Sequence, residues 1–277
     1  MSDAQAWNTD TLLHRSPSGR ATALVIVNSP LPPQDLFRSL WKTARVRYCA
    51  DGGANRLYDR FVKGKGKLED GWTDADARED DWLPDLILGD LDSLKDETRR
   101  YYEAKGVPVE RDPDEFSTDL GKNVRRLTEY EASQARSQPS STVPVPFQLV
   151  VVGGLSGRLD QTIHTLHALT QLQAKEGRDQ VWAIGKESAA CILPKGTHNL
   201  QIDLDRFGKT CGILPLGSSQ AFVETTGLEW DLGPTSYMWP TSLAEAVSTS
   251  NHLVQRNVTV STDVAIVWTM EVRGGAE

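Results

Sequence analysis

The residues of this chain whose types and spacing can do chemistry fall in four short segments: Asp51-Gly-Gly-Ala-Asn55, Gly89-Asp-Leu-Asp-Ser93, Ser117-Thr-Asp-Leu-Gly-Lys122 and Gly153-Gly-Leu-Ser-Gly-Arg-Leu-Asp160. Asp90 and Asp92 are two residues apart, and in an extended strand end that spacing puts both carboxylates on one side. Two carboxylates so placed can share a cation. Mg²⁺ takes oxygen ligands, keeps several waters and is commonly held by one or two carboxylates plus substrate phosphates, a set that Asp119 can complete. The same residues admit a second reading, because Ser93 and Asp96 have the S-x-x-D spacing of a helix cap. The two readings are compatible.

The glycines and cations supply the other half of phosphate chemistry. In Asp51 to Asn55 the adjacent Gly52 and Gly53 let backbone N–H groups approach an anion at the positive end of a helix, although a plain strand-to-helix turn uses glycine equally well. The run from Gly153 to Asp160 combines permissive backbone with Arg158, a bidentate phosphate partner, and Asp160, which can orient that guanidinium or a metal-bound water. Lys122 follows Asp119 by one helical turn, so ammonium and carboxylate share a face, as phosphate-site partners or as a surface ion pair. No GxxxxGK[ST] or GxGxxG segment occurs, and Ser156 lacks the spacing of a nucleophile elbow. His164 and His167 are three apart on a predicted helix without Cys or Glu partners, and are read as packed or exposed histidines.

The elements around these segments explain their placement. Predicted strands cover Thr22–Val27, Val46–Ala50, Asp85–Leu88, Val107–Glu110, Phe147–Val152 and Val181–Ile184, with amphipathic stripes between them at Leu36/Phe37/Leu40/Trp41/Ala44, Ala54/Leu57/Tyr58/Phe61/Val62 and Leu159/Ile163/Leu166/Leu169/Leu172. Each of the four segments follows a predicted strand, three of them directly. Repeated strand, helix, strand predicts an α/β domain with a mainly parallel sheet over residues 1–188, and ligands bind such sheets beyond the carboxyl ends of their strands. From residue 189 to 277 short strands without helices predict an all-β sandwich: Ala190–Leu193, His198–Leu204, Thr210–Leu214, Ala221–Glu224, Leu228–Leu232, His252–Val260 and Ala265–Met270. Two inserts, the acidic Lys63–Trp82 and the Ser/Pro/Gln-rich Ser133–Pro146, read as solvated loops.

Bulk properties narrow the function classes. A net charge of −8 over 277 residues argues against a nucleic-acid or membrane-surface binder, which needs a basic face, and favours small-molecule partners. Cys49, Cys191 and Cys211 are widely spaced, so neither a disulfide framework nor a zinc site is expected. Without a secretory signal pattern at Met1–Trp7 or an apolar run long enough to span a bilayer, a cytoplasmic protein is expected.

In combination the chain resembles the eukaryotic thiamine pyrophosphokinase family. The resemblance is carried by Cys49-Ala-Asp-Gly-Gly-Ala-Asn-Arg-Leu-Tyr-Asp59, Gly89-Asp-Leu-Asp-Ser93, Ser117-Thr-Asp119 with Lys122, Gly153 to Gln161, Cys211-Gly-Ile-Leu-Pro-Leu-Gly217, Thr225-Thr-Gly-Leu-Glu-Trp230, Ser248-Thr-Ser-Asn251 and Trp268-Thr-Met270, in family order. It implies transfer of pyrophosphate from ATP to thiamine with Mg²⁺, in a homodimer whose sites lie between subunits. It further implies that Asp90, Asp92 and Asp119 hold Mg²⁺, that Lys122 and Arg158 contact phosphates with Asp160 beside them, and that Asp51, Gly52, Gly53 and Asn55 help hold ATP. Trp230, Ser250 and Asn251 would line the thiamine pocket, an aromatic face suiting a thiazolium cation. The chain has Glu115-Phe116 where the family often has Gln-Asp, and Glu115 is therefore expected to contact thiamine.

Overall fold

β-Branched runs form strands where the alternation predicts them, and the order of those strands places every candidate loop. The computed structural model describes residues 4–14, 20–63, 82–137, 145–176, 178–233, 239–244 and 246–274. Most of the acidic insert lies outside the described residues. The elements are β1 (Gln5–Asn8), α1 (Asp10–Leu13), β2 (Thr22–Ile26), α2 (Gln34–Thr43), β3 (Val46–Ala50), α3 (Gly53–Tyr58), β4 (Leu86–Gly89), α4 (Asp96–Ala104), β5 (Val109–Arg111), α5 (Asp119–Ser137), β6 (Gln148–Val152), α6 (Leu159–Glu176) and β7 (Val181–Ile184). Eight more strands follow: β8 (Ser188–Leu193), β9 (Gly196–Gln201), β10 (Phe207–Leu214), β11 (Ala221–Thr226), β12 (Trp239–Thr241), β13 (Ser248–His252), β14 (Asn257–Thr262) and β15 (Ile266–Val272).

Strands β5-β4-β3-β2-β6-β7 pair in parallel, and the same sheet continues antiparallel through β8-β15-β10-β13. A second sheet, β1-β9-β14-β11-β12, completes the sandwich at the C-terminal end. The expected α/β domain and β-sandwich are therefore both present, and position 188/189 falls inside β8, which pairs antiparallel with β7 in one continuous sheet. Side-chain alternation divides the core in two, as the period of two requires. Leu24 and Ile26 of β2 point into a cluster with α2, α3, α4 and the second sheet, whereas Ala23 and Val25 face Leu120, Val124, Leu127, Leu169 and Leu172 of α5 and α6.

Several expectations shift. The acid-capped turn of Asp231, whose carboxylate takes the N–H groups of Gly227 (3.2 Å) and Leu228 (3.0 Å), replaces the predicted strand Leu228–Leu232. His252–Val260 divides into β13 and β14, and α5 runs through Ser137 into the stretch read as a loop. On α6 only Leu169 and Leu172 of the predicted stripe are buried, while Leu159 and Ile163 are exposed. Strand β1, short and lacking a β-branched residue, carries no strand signature and is not expected from the sequence. It is held by Trp7, which packs edge-on to Trp182 and donates from Nε1 to His198 Nδ1 at 3.1 Å.

That bond fixes the state of His198. An indole N–H only donates, so Nδ1 must accept, and the ring's proton sits on Nε2, which lies 2.7 Å from the Pro194 carbonyl. Burial pushes the imidazole below its ordinary 6.5, against the opposing pull of that carbonyl. The unfolded chain thus takes a proton near pH 6.5 that the folded chain refuses, so stability is complete above about 6.5 and declines as pH falls from there towards the depressed value. Melting curves between pH 7.5 and 5.5 should show a smaller acid loss for His198→Gln than for the wild type. Equal losses would mean that the Trp7–His198 bond does not carry this dependence.

Candidate active site

Strands β2 and β6 are neighbours, but the chain leaves β2 towards β3 and leaves β6 towards β7, on the opposite side. Such a reversal opens a crevice at the carboxyl ends of the two strands. A cleft of about 750 Å³ lies there, lined from the end of β2 (Asn28, Ser29), β3 (Asp51, Gly52), β4 (Asp90, Ser93), the start of α5 (Ser117–Leu120) and the loop after β6 (Gly154, Ser156–Arg158, Asp160, Gln161). All four predicted segments therefore contribute to one cavity. A fifth, Asn28-Ser29-Pro30, was missed in the sequence although it too follows a strand.

The acids gather differently from the expected set. Oxygens of Asp51, Asp90 and Asp119 lie within 4.8 Å of one another, the group among the described residues able to hold a cation. Asp92 is outside that group. The extended chain that would align it with Asp90 is broken at Leu91, whose φ of 67° turns the backbone left-handed. The N–H of Asp92 instead donates to Asp90 Oδ1 (3.2 Å), and its carboxylate accepts from Ser93 Oγ (2.9 Å). Nor does Ser93 cap a helix: α4 starts at Asp96 and its cap residue, Lys95, makes no side-chain cap bond.

Asp51 is the buried member. Its Oδ2 accepts from the Ser93 N–H at 3.0 Å, while Oδ1 is buried with no protein partner among the described residues. Burial, joined by the charge of Asp119, pushes its carboxyl above the ordinary 3.8, with the Ser93 N–H pulling the other way. A buried carboxylate oxygen without a donor is costly unless a cation or proton meets it. Its backbone is also left-handed, with φ 44°. Close approach is possible because residue 89 is glycine: a Cβ there would lie 2.7 Å from Asp51 Cβ and 3.0 Å from Asp119 Oδ1.

Lys122, almost fully buried, donates from Nζ to Asp119 Oδ1 at 3.2 Å, so the predicted one-turn pairing is present, with the ammonium buried and the carboxylate half-buried. Arg158 and Asp160 form a two-bond pair of 3.0 and 2.5 Å on an exposed loop at the cleft. Gly52 lines the cleft, whereas Gly53 and Asn55, expected beside it, are not among the lining residues. A Cβ at Gly53 would sit 2.1 Å from the Ile26 carbonyl oxygen, and the Asn55 amide is engaged on both sides, giving to Ser93 O (2.8 Å) and taking the Lys95 N–H (3.1 Å). Asn55 braces the loop that follows Asp90 and is not among the lining residues of this cleft. Arg56, His164 and Thr165 also line the cavity; Arg56 lies in the Cys49–Asp59 stretch that carries the resemblance, without a role expected for it there, and His164 and Thr165 lie in α6, which starts at the Gly153 loop.

The expected thiamine residues lie elsewhere in the chain. Trp230, Ser250 and Asn251 are not among the cleft's lining residues, but Trp230 and Asn251 are joined to each other. Asn251 Oδ1 takes the Trp230 backbone N–H (3.2 Å) and its Nδ2 gives to the Trp230 carbonyl (2.7 Å), and Trp230 is 55% exposed. Ser250, with φ 58°, sits beside them on β13. His252 packs 5.0 Å from the Trp230 ring, and its Nδ1 lies 2.5 Å from Glu229 Oε2. Glu115 is exposed and does not line the cleft. It sits with exposed Phe116 on a turn closed by Asp114, which takes the Phe116 N–H (3.0 Å) and the Ser117 hydroxyl (2.6 Å).

Comparison with known proteins bears on this arrangement. Residues 37–180 match the model of the thiamin pyrophosphokinase catalytic domain, and residues 197–267 that of the thiamin pyrophosphokinase vitamin B1 binding domain. Thiamine pyrophosphokinase 3 of Oryza sativa subsp. japonica is 33% identical over 259 residues, covering 92% of this chain and 88% of that protein. Thiamine pyrophosphokinase 1 of Arabidopsis thaliana is 30% identical, covering 92% and 88%. The crystal structure of yeast thiamin pyrophosphokinase superposes with a TM-score of 0.78 at 27% identity, covering 97% of this chain and 91% of that one. The chain therefore belongs to the thiamin pyrophosphokinase family.

Proposed function

We propose that this chain transfers the pyrophosphoryl group of ATP to the hydroxyl of thiamine, giving thiamine diphosphate and AMP. The observation that carries the reading is the set Asp51, Asp90 and Asp119 with Lys122, gathered at the sheet's switch point in a member of this family. The unpartnered Asp51 Oδ1 and the all-carboxylate donor set fit a hard divalent cation such as Mg²⁺. Bound there, Mg²⁺ would supply charge neutralisation on the phosphate oxygens. Lys122 holds Asp119 in place, and the backbone N–H of Asp92 does the same for Asp90. Arg158, already paired with Asp160, presents a guanidinium to the triphosphate from the opposite lip. Catalysis by such a set is positioning and electrostatic stabilisation.

Thiamine is assigned to the Trp230, Ser250 and Asn251 surface, whose indole face is available to a cationic ring. Glu115 is assigned to the same substrate on the grounds of its exposure and charge. The cleft of one chain contains no residue of that surface, so a shared site needs a second copy, and we infer a homodimer. Exposed Phe116, Leu159 and Ile163 near the cleft and Trp239, Leu243 and Val254 on the sandwich supply apolar surface for such contact. Cys49, Cys191 and Cys211 are buried free thiols, which suits the expected cytoplasm, and no helix among the described residues is long and apolar enough to cross a membrane.

Incubation of the pure protein with thiamine, ATP and Mg²⁺ should yield thiamine diphosphate and AMP; ADP as the product would overturn the reading. Asp51→Asn and Asp119→Asn should each lower kcat by about 10²-fold or more, the scale of losing one preorganised charge group, with melting temperature retained, and activity within a few-fold of wild type would remove the cation site. Trp230→Ala should weaken thiamine binding by roughly 1–2 kcal/mol with ATP affinity unchanged; equal losses for both substrates would make Trp230 a packing residue. Light scattering should give about twice the chain mass of 30.6 kDa, and an active monomer would contradict a site shared between copies.

A further inference from the structure

The cleft contains a second guanidinium whose surroundings differ from those of Arg158. Arg158 is bound through two nitrogens to the Asp160 carboxylate. Arg56, from α3 on the other wall, donates Nε to Asn28 Oδ1 at 2.9 Å, and no carboxylate pairs with it among the described residues. An amide acceptor is neutral, so it orients the guanidinium without cancelling its charge. The outer edge of the fork, Nη1 and Nη2, has no protein partner among the described residues, and both Arg56 and Asn28 line the cavity.

The support for this pair is built into the backbone. Asn28 in this position packs directly on Gly52, where a Cβ would lie 2.4 Å from Asn28 Nδ2 and displace the amide. Helix α3, which carries Arg56, is seated against the end of β2 through Gly53 and its contact with the Ile26 carbonyl. Two adjacent glycines thus set the amide and the helix that together aim one guanidinium across the cleft. We propose that Arg56 is a phosphate-contacting residue of the nucleotide site and that Asn28 is its positioning residue, an inference that rests on the reading of this cleft as the ATP site. Guanidinium held at Nε keeps a two-pronged edge for a phosphate oxygen pair, which lysine cannot present.

The competing role for the pair is a brace between the loop after β2 and α3. Asn28→Asp separates the two, since an ion pair strengthens a brace but neutralises a phosphate ligand. ATP binding measured by calorimetry with Mg²⁺ and without thiamine should weaken by about tenfold or more in Arg56→Ala, as expected for a lost charge-assisted bond, and Arg56→Lys should recover only part of it. Asn28→Asp should also weaken ATP while its melting temperature stays level or rises. Asn28→Ala combined with Arg56→Ala should bind ATP no worse than Arg56→Ala alone, because the amide acts through the arginine. KM for thiamine should not move in the single variants. Unchanged ATP affinity in Arg56→Ala, or in Asn28→Asp, would overturn the inference while leaving the assignment of the cleft intact. A wild-type protein that binds no ATP would overturn that assignment and this inference with it.

Discussion

Three carboxylates within 4.8 Å of each other repel, and the catalytic end of this fold is organised around holding them there. Burial raises the cost of ionising Asp51, and the charge of Asp119 adds to it. The surrounding features read as answers to that cost. Lys122 lies buried against Asp119, the N–H groups of Ser93 and Asp92 point at Asp51 and Asp90, and the N–H of Asp90 reaches Asp119 Oδ1 at 3.3 Å. Gly89 removes the one side chain that would wedge the acids apart. Asn55 fastens the loop from below. The left-handed residues Asp51 and Leu91 are the backbone strain left over, and such strain persists where the surroundings over-determine it.

The sheet supplies the rigidity that this arrangement needs. Each central strand is buried on both faces, with alternate residues committed to separate cores, so a strand cannot slip by one residue without exchanging the two. Because β8, β15, β10 and β13 extend the same sheet, the sandwich shares hydrogen bonds as well as packing with the α/β part. The second sheet closes on the core that α2, α3 and α4 occupy further along. Trp7 then ties the N-terminal strand to that junction through Trp182 and His198.

Legibility in the sequence followed physical range. The strands from Thr22 to Ile184 were readable because buried parallel strands are β-branched and their loops begin abruptly with Gly and Asp, and all four motif loops did converge. What escaped was set by contacts distant in sequence. Strand β1 exists because Trp7 finds a partner 191 residues away, which no local pattern records. Asp92 was grouped with Asp90 on the assumption of extended backbone, which the left-handed Leu91 breaks. Asp51, expected with its turn to help hold ATP, is the buried acid of the cluster. Leu159 and Ile163 satisfied a helical period yet lie exposed, because periodicity reports an apolar face and not what covers it.

The continuity of the ten-stranded sheet also has a chiral consequence. Sheets turn with a fixed hand, and six strand-to-strand steps separate β2, at the cleft, from β13, which carries Ser250 and Asn251. At the usual 20–25° per step the strand axis rotates by roughly 120–150° over that distance. The strand that carries Ser250 and Asn251 is thereby turned well away from the strands that end at the cleft.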